Sequence, residues 1–387
     1  MTIPFNKPHL TGEEWKNIAQ AYSYGQLAGD GFFTNKCEKW LEDNTGCKKA
    51  LLTHSCTAAL EMAAMLIDVQ EGDEIIMPSY TFVSTANAFV IRGGKPVFVD
   101  IRADTQNIDE AKIEEAITDK TKAIVVVHYA GVGCDMTTIC KIAKKYNIFL
   151  IEDAAQAIMS HHNGKPLGSF GQLATLSFHE TKNIIAGEGG ALLINADEFI
   201  ERSEIIREKG TNRKKFFRGS VDKYTWVDIG SSYLPGELIS AFLYAQMCEA
   251  ESITGRRQSI WSRYHEAFQG LEENGLVVRP VVPPECTLNA HIYYLLFHDR
   301  NQRDVFIELL SAKGIRAVFH YVPLHDSPMG EKVGRISGDL GNTKRTSGQI
   351  ARLPLWVDMD EKIVADVIAA VRESVYAVND NRTVSRI

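Results

Sequence analysis

Short apolar runs rich in β-branched residues recur along the first two-thirds of the chain, and helical patterns separate several of them. Runs of about five such residues are typical of strands that are buried on both faces of a parallel sheet. The predicted strands are Asp73–Met77, Lys95–Asp100, Ala123–His128, Ile148–Glu152, Leu173–Phe178 and Ala191–Asn195. The predicted helices are Thr57–Ile67, Ser84–Arg92, Asp109–Ala116 and Met136–Tyr146. This alternation predicts a doubly wound α/β domain with a mostly parallel sheet flanked by helices.

The pattern changes near residue 236, where a long amphipathic helix is predicted over Glu237–Asn274. Further predicted elements are the strands His291–Phe297 and Ala317–Tyr321 and the helices Gln302–Lys313 and Met359–Tyr376. The length of 387 residues exceeds what one simple core usually supports. We therefore expect a large domain over residues 1–250 and a smaller α+β domain over residues 251–387.

Composition narrows the class of protein. The hydrophobic content of 45% and charged content of 24% are ordinary for a globular protein, and the net charge of -7 argues against a nucleic-acid partner. No apolar stretch reaches the roughly 20 residues that span a bilayer, and the start lacks a secretory signal pattern. The seven cysteines are scattered and form no CxxC pair, which predicts reduced thiols, no zinc site and a cytoplasmic location.

A small hydroxyl-rich segment, Thr53–Thr57, stands directly before a predicted helix. The free backbone N–H groups of a helix start, helped by the helix dipole, can bind an anion such as a phosphate. The hydroxyls of Ser55 and Thr57 can add donors. A simple N-cap is the better explanation of the segment when it is taken alone.

Two further candidates follow predicted strands. Asp153 comes after the strand ending at Glu152, and its carboxylate can pair with a protonated heterocyclic nitrogen, while Gln156 can hydrogen-bond a ring hydroxyl. Lys182 follows the strand ending at Phe178, where apolar walls can lower its pKa and make it an amine nucleophile. The alternatives are a helix cap for Asp153 and a solvated surface charge for Lys182.

The segment Pro78–Phe82 also follows a predicted strand, and an aromatic side chain there can stack on a flat cofactor ring or simply belong to the core. A nicotinamide cofactor is disfavoured, because Gly131 and Gly133 follow a strand but Met136 breaks the G-x-G-x-x-G fingerprint. An anion cradle, a carboxylate, a lysine and an aromatic on successive units of one sheet point instead to pyridoxal 5′-phosphate (PLP).

At these residues the chain resembles the fold-type I PLP enzymes, and within them the DegT/StrS sugar aminotransferase family. The resemblance runs from IPFNKP to RLPLW and includes PSYTFVSTANA, EDAAQ, SFHETKN, GEGGA and HYVPLH. It implies that PLP alternates with its pyridoxamine phosphate form, that L-glutamate donates the amino group and that a nucleotide-linked keto-sugar accepts it. It also implies a homodimer with active sites at the interface.

The resemblance assigns roles to matching residues. Lys182 would carry PLP as a Schiff base, Asp153 would pair with the pyridine nitrogen and Gln156 would lie by the ring hydroxyl. The phosphate would be held by Cys56, Thr57 and Ser177, beside Ser55 of the cradle, and Phe82 would stack on the ring.

Further positions are assigned to the substrate or to the neighbouring subunit. His320 and His325 of HYVPLH are assigned to the substrate region, although a structural role is as plausible. Ser232 stands where many relatives have an asparagine that reaches the phosphate of the neighbouring subunit. Arg213 and Arg218 are candidate diphosphate partners, or surface charges.

Two rival functions differ in their requirements. The sugar dehydratases of the same family carry a histidine in place of the Schiff-base lysine, so Lys182 favours transamination. A non-catalytic regulatory protein would be expected to lack Lys182 or Asp153, and the chain has both. The segments SFHETKN, REKGTNR, FFRG, VDKYTW and DIGSSYL resemble a subgroup that acts on dTDP-4-keto-6-deoxy-D-glucose. The gluco epimer of its product and other keto-sugar nucleotides stay open.

Overall fold

The computed structural model describes residues 2–380 except 218, 220 and 222. The strands are β1 Lys49–Thr53, β2 Glu74–Pro78, β3 Lys95–Val99, β4 Thr121–Val127, β5 Phe149–Asp153, β6 His161–His162, β7 Lys165–Pro166, β8 Leu173–Ser177, β9 Gly190–Ile194, β10 Cys286–Thr287, β11 Tyr293–Leu296, β12 Arg335–Ile336 and β13 Ile350–Leu353. The helices are α1 Glu14–Ser23, α2 Phe32–Thr45, α3 Cys56–Leu66, α4 Val83–Val90, α5 Ile113–Ala116, α6 Met136–Tyr146, α7 Ile200–Arg207, α8 Arg213–Phe217, α9 Glu237–Cys248, α10 Ala250–Ala267, α11 Gln269–Glu273, α12 Arg300–Ala312, α13 Pro328–Val333, α14 Gly341–Gln349 and α15 Glu361–Asn379.

Eight of the described strands form one sheet in the order β1-β9-β8-β5-β4-β2-β3-β12. The neighbours from β8 to β12 run parallel, whereas β9 is antiparallel to both β8 and β1. The prediction of a mostly parallel sheet is therefore confirmed. Strand β1 is not among the predicted strands, because this short strand passes directly into the hydroxyl-rich segment before α3.

Both faces of this sheet are covered, as continuous apolar strands require. Alternate residues point to opposite faces, so Leu51 and Ile75 pack in one buried cluster while their neighbours Leu52 and Ile76 pack in another. Each strand thus contributes to two cores, which fixes its register and the position of its carboxyl end.

The C-terminal part packs around a third buried cluster that includes Tyr293, Phe306 and Val367. The predicted helix Glu237–Asn274 is interrupted at Glu249 and Phe268, where the backbone leaves helical geometry. The predicted strand Ala317–Tyr321 is wrong, since only an isolated bridge from Val318 to Arg352 forms there.

Two contacts cross the expected division at residue 250. Strand β12 of the C-terminal part pairs with β3, and Ile3 of the N-terminal segment packs in the C-terminal cluster. The division itself stays a prediction. None of the helices described between residues 2 and 380 is long and apolar enough to cross a bilayer.

Candidate active site

A cavity of about 840 Å³ opens at the carboxyl edge of the large sheet. Its wall includes the last residues of three parallel neighbours, Val127 of β4, Asp153 of β5 and Ser177 of β8. Open α/β sheets bind their ligands at this edge. Candidate residues that follow successive strands along the chain therefore lie close together at this edge of the sheet.

The start of α3 forms one end of the cavity. Ser55 is the N-cap, and its hydroxyl accepts a hydrogen bond of 3.1 Å from the Ala58 N–H. Cys56 and Thr57 follow it in the cavity wall, and the Thr57 hydroxyl shares a 2.7 Å hydrogen bond with Ser84. Ser55 therefore does cap the helix. The same helix start also faces an open cavity, as an anion-binding site requires.

Asp153 is buried, and its carboxylate is held from two sides. Oδ2 accepts a 2.7 Å hydrogen bond from the Thr85 hydroxyl, and Oδ1 accepts one of 3.2 Å from the Ala155 N–H. Burial raises the pKa of Asp153, whereas these two hydrogen bonds and the charge of Lys182 oppose the rise. A carboxylate fixed in this way in an apolar wall fits a protonated ring nitrogen, which would restore its ionised form.

The Gln156 amide is also fixed. Its Oε1 accepts a 2.8 Å hydrogen bond from the Ala130 N–H, and its Nε2 donates one of 2.9 Å to the Tyr321 hydroxyl. One hydrogen of Nε2 remains available for a ligand. Gln156 lines the cavity as the expected ring-hydroxyl contact requires, although that contact stays a prediction.

Lys182 lines the same cavity as Asp153 and is partly buried. It follows β8 in a turn, where its N–H donates a 2.9 Å hydrogen bond to the His179 carbonyl. Burial lowers the pKa of Lys182, Cys56 and Asp153 oppose the shift, and the charge of Arg352 adds to it. A lysine with a lowered pKa beside a buried carboxylate is suited to nucleophilic and proton-transfer chemistry.

Phe82 lies in the cavity wall with 56% of its surface exposed, so it is not a core aromatic. Its ring centroid is 6.3 Å from that of Tyr321, which lines the cavity as well. The buried aromatic of this segment is Tyr80 instead. An exposed ring at a cavity wall is free to stack on a planar ligand, and that role stays a prediction.

The two histidines of HYVPLH lie in different places in the structure. His320 lines the cavity, with its Nδ1 2.6 Å from the Tyr129 hydroxyl, and burial holds its pKa well below the usual value. His325 lies outside the cavity wall, because the turn after Pro323 directs its Nδ1 to the Ser79 hydroxyl at 2.7 Å. The assignment of His325 to the substrate region is therefore not supported by the position of its side chain.

Of three other candidates, two lie away from this wall and one falls outside the described residues. Arg213 begins α8 and is exposed, and Ser232 is exposed in an isolated bridge with Glu208. Neither lines the cavity of its own chain. Arg218 lies outside the described residues. The role expected for Ser232 involves a neighbouring subunit, and it stays a prediction.

Several residues of this wall are not among the predicted site residues. Thr85, Arg257, His291, Tyr321 and Arg352 all line the cavity. Thr85, Tyr321 and Arg352 lie within the quoted motifs PSYTFVSTANA, HYVPLH and RLPLW. Their place in the wall could not be inferred from those motifs, because most of the five residues belong to the C-terminal part and meet the sheet edge only in the folded chain.

Within the described ranges no group of three His, Cys, Asp or Glu side chains is arranged to hold a metal ion. All seven cysteines are free thiols.

Solved structures place this fold in a class. The chain is 26% identical to a Streptococcus pneumoniae protein described as a sugar aminotransferase, with a TM-score of 0.91 and complete coverage of both chains. That protein has also been solved in PLP and pyridoxamine phosphate forms, each with a TM-score of 0.89. The fold is that of the fold-type I PLP aminotransferases.

The family to which the chain belongs is narrower than this fold class. The model of the DegT/DnrJ/EryC1/StrS aminotransferase family matches residues 8–372, and the chain belongs to this family. It is 36% identical to an uncharacterized protein of Methanocaldococcus jannaschii, over 90% of this chain and 91% of that one. It is 32% identical to the spore coat polysaccharide biosynthesis protein SpsC of Bacillus subtilis, over 96% of this chain and 97% of that one.

Proposed function

We propose that this aminotransferase converts dTDP-4-keto-6-deoxy-D-glucose into dTDP-4-amino-4,6-dideoxy-D-galactose, with L-glutamate as the amino donor. The observation that carries the proposal is that Lys182 and the buried Asp153 line one cavity with the N-terminus of α3. These are a nucleophilic amine, a fixed carboxylate and an anion cradle, the three groups that PLP chemistry needs from a protein.

PLP is the cofactor, and it supplies the electron-withdrawing ring that makes amino-group transfer possible. Residues 55–57 and Ser177 would hold its phosphate, Asp153 its ring nitrogen and Gln156 its ring hydroxyl. Phe82 would cover one ring face. Each of these side chains is already fixed or lines the cavity, so little ordering would be needed on binding.

Lys182 has two tasks in this proposal. Its neutral amine anchors the cofactor, and when a donor displaces it, the same amine carries a proton from the donor's Cα. The lowered pKa keeps the amine neutral at a lower pH than an exposed lysine. A lysine that can return this proton favours transamination over the dehydratase alternative.

The substrate assignment rests on sequence resemblance. The segments SFHETKN, REKGTNR and DIGSSYL resemble the transaminase of enterobacterial common antigen synthesis, which makes this amino sugar. The gluco epimer and other nucleotide-linked keto-sugars are the alternatives. We also propose a cytoplasmic homodimer in which Ser232 contacts the neighbouring site and Arg213 and Arg218 contact the diphosphate.

The test is direct. The purified protein is incubated with L-glutamate and dTDP-4-keto-6-deoxy-D-glucose, and the C4 configuration of the product is determined by NMR. We expect the galacto amino sugar. The gluco epimer would correct the stereochemistry, and a deoxygenated sugar without nitrogen would support the dehydratase.

The Lys182→Ala variant should lose turnover and the visible absorbance of the bound cofactor. Lys141→Ala serves as the matched control, because Lys141 is an exposed lysine on α6 outside the cavity. Full activity of the Lys182→Ala variant would overturn the proposal.

A further inference from the structure

His291, two residues before β11, places a buried imidazole in the cavity wall. Its Nδ1 lies 2.9 Å from the side-chain oxygen of Asn183, the chain neighbour of Lys182. The Asn183 Nδ2 donates a 2.8 Å hydrogen bond to the Asn289 carbonyl. Because a carbonyl only accepts, this bond fixes the orientation of the amide, and its oxygen is the atom that faces the His291 ring.

This contact determines which ring nitrogen carries the hydrogen. The Asn183 oxygen is an acceptor, so Nδ1 of His291 must be the donor. Burial holds the pKa of His291 well below its usual value, and the charges of Lys182, Arg257 and Arg352 act in the same direction. The imidazole is therefore neutral, with a lone pair on Nε2.

Nε2 is the nitrogen that the protein leaves unused. None of the described residues donates a hydrogen bond to it, and it is not sealed from the cavity that the His291 ring lines. A buried histidine outside the cavity is treated differently. The Nε2 of His162 lies 3.2 Å from the Thr137 hydroxyl, and its Nδ1 lies 3.7 Å from the Cys286 thiol. Both nitrogens of His162 thus have protein partners.

The turn before His291 is strained and held from several sides. Ala290 has a φ of 54°, in the left-handed region that a residue with a side chain rarely adopts. Arg257 donates hydrogen bonds of 3.1 and 2.6 Å to the carbonyls of Ala290 and His291. The Asn289 side chain donates one of 2.8 Å to the Gln156 carbonyl. Backbone strain that the surroundings maintain in this way is concentrated at functional sites.

Lys182 is the donor that the cavity offers to this lone pair. It lines the same cavity, its charge acts on the His291 ring, and Asn183 joins the two residues. In the proposed reaction the amino donor displaces the Lys182 amine, which then takes the proton from the donor's Cα. The electron pair of the broken C–H bond passes to the cofactor. The ammonium formed on Lys182 needs a hydrogen-bond acceptor, because a buried charge without one is costly.

We propose that Nε2 of His291 accepts a hydrogen bond from the Lys182 side chain once the amino donor has displaced it. This inference rests on the proposed transamination but not on the identity of the sugar. The hydrogen bond orients the amine toward the donor's Cα and stabilises the ammonium that forms. His291 is a positioning residue, since it acts through Lys182 and transfers no proton itself.

Two substitutions separate the two ring nitrogens. His291→Asn keeps an amide N–H near the position of Nδ1, so the bond to Asn183 can persist while the acceptor in the cavity is lost. His291→Gln places an amide oxygen near the position of Nε2 and loses the buried donor. A histidine with only a structural role is better replaced by asparagine, whereas the proposed role is better served by glutamine.

The first experiment follows single turnovers with L-glutamate, and with L-glutamate deuterated at Cα, through the visible absorbance of the bound cofactor. In His291→Asn the rate should fall by about 10- to 100-fold, the usual effect of losing a hydrogen bond to a charged group. The deuterium isotope effect should stay at or above the wild-type value, because the slowed step removes that proton. His291→Gln should react faster than His291→Asn, although urea unfolding should show it to be the less stable variant.

A second measurement needs no turnover. In cofactor-free protein labelled with ¹⁵N in its histidines, the ring signals of His291 are assigned by their loss in a His291 variant. They should show hydrogen on Nδ1 and none on Nε2. In Lys182→Ala the Nε2 signal should move to higher chemical shift, because the lone pair has lost its donor.

The matched control is His162→Asn, which replaces another buried histidine outside the cavity. It should leave the half-reaction rate, the isotope effect and the His291 signals unchanged.

A hydrogen on Nε2, or an Nε2 signal that Lys182→Ala does not move, would overturn the inference. A His291→Asn variant that reacts as fast as wild type would do the same, as would a defect confined to the keto-sugar half-reaction, which would assign Nε2 to a sugar hydroxyl. If His291→Asn does not fold, the rate of His291→Gln and the Nε2 signal decide. A wild-type protein that does not react with L-glutamate would refute the proposed transamination, whereas the Nε2 signal would still test the contact with Lys182.

Discussion

At the scale of single residues, the site consists of polar groups that the fold holds in place before any ligand binds. Asp153 is fixed by Thr85, and Gln156 by Ala130 and Tyr321. Such fixed groups lose little freedom on binding, which is how a protein prepares a site. Lys182 is the residue whose chemistry depends most on this environment.

The lowered pKa of Lys182 predicts a pH dependence for cofactor capture. Only the neutral amine attacks an aldehyde, so the rate at which cofactor-free protein combines with PLP should rise with pH. Because the pKa is depressed in the folded chain, the half-maximal rate should fall below pH 10.5, the ordinary lysine value. Stopped-flow absorbance at a series of pH values checks this.

Arg352→Gln offers an internal comparison, because it removes a positive charge that lowers the pKa of Lys182. The half-maximal pH should therefore move upward in that variant. A wild-type curve centred at or above pH 10.5 would contradict the lowered pKa.

At the scale of elements, the cradle depends on the close approach of β9 to the start of α3. A Cβ on Gly190, the first residue of β9, would stand 2.4 Å from the backbone nitrogen of Cys56 and 2.4 Å from the carbonyl carbon of Ser55. Both neighbours are backbone atoms, so the helix start would have to move.

We expect Gly190→Ala to destabilise the fold by about 1–3 kcal/mol, the usual cost of overpacking, and to weaken PLP binding at least tenfold. Urea unfolding and a PLP titration of cofactor-free protein measure the two effects. Gly270→Ala is the control, since a Cβ there meets no atom within 4 Å and the helix propensity of alanine is higher. Equal changes in the free energy of unfolding and in PLP affinity in the two variants would contradict the close approach of β9 to the start of α3.

At the scale of the whole molecule, the C-terminal part is joined to the large sheet through β12. Arg335 of this strand donates hydrogen bonds of 2.7 and 2.6 Å to the two oxygens of Glu74 in β2, and a third of 2.8 Å to the Ala116 carbonyl. Glu74 is buried, and the hydrogen bond from Arg335 is the main cause of its lowered pKa.

Arg335→Leu should destabilise the chain by about 1–3 kcal/mol at pH 7, because it removes the charged partner of the buried Glu74, which keeps the 2.7 Å hydrogen bond from the Thr118 hydroxyl. The depressed pKa means that the pair contributes fully above the unfolded-state pKa of Glu74 and loses its contribution as pH falls through the folded-state pKa. Urea unfolding at pH 7 and at low pH should therefore show a difference between wild type and variant that shrinks on acidification.

Arg345→Leu, at an exposed site, should change stability by no more than about 0.5 kcal/mol. The difference in free energy of unfolding between wild type and Arg335→Leu could instead stay constant over the whole pH range. That result would show that lost packing, rather than the lost ion pair, causes the destabilisation.

The amino-acid sequence alone predicted six of the eight strands of the large sheet and the candidate site residues that follow them in chain order. Continuous apolar runs had to be buried on both faces, so periodicity located these strands, and Asp153 and Lys182 became candidates because they stand at or shortly after strand ends. The family resemblance extended this to the cofactor. These features are local, because each depends on residues that are neighbours in the chain.

The tertiary structure decided which distant residues join that site. His320 and Tyr321 line the cavity from a segment where the predicted strand does not form, and Arg352 joins them from β13. His325 turns away although it belongs to the same HYVPLH motif as His320 and Tyr321. The reason is physical: periodicity reports how a segment buries its own faces, whereas a cavity wall depends on how separate segments pack. Arg352 likewise has no acidic partner among the described residues, and this depends on the segments packed around it rather than on its own segment.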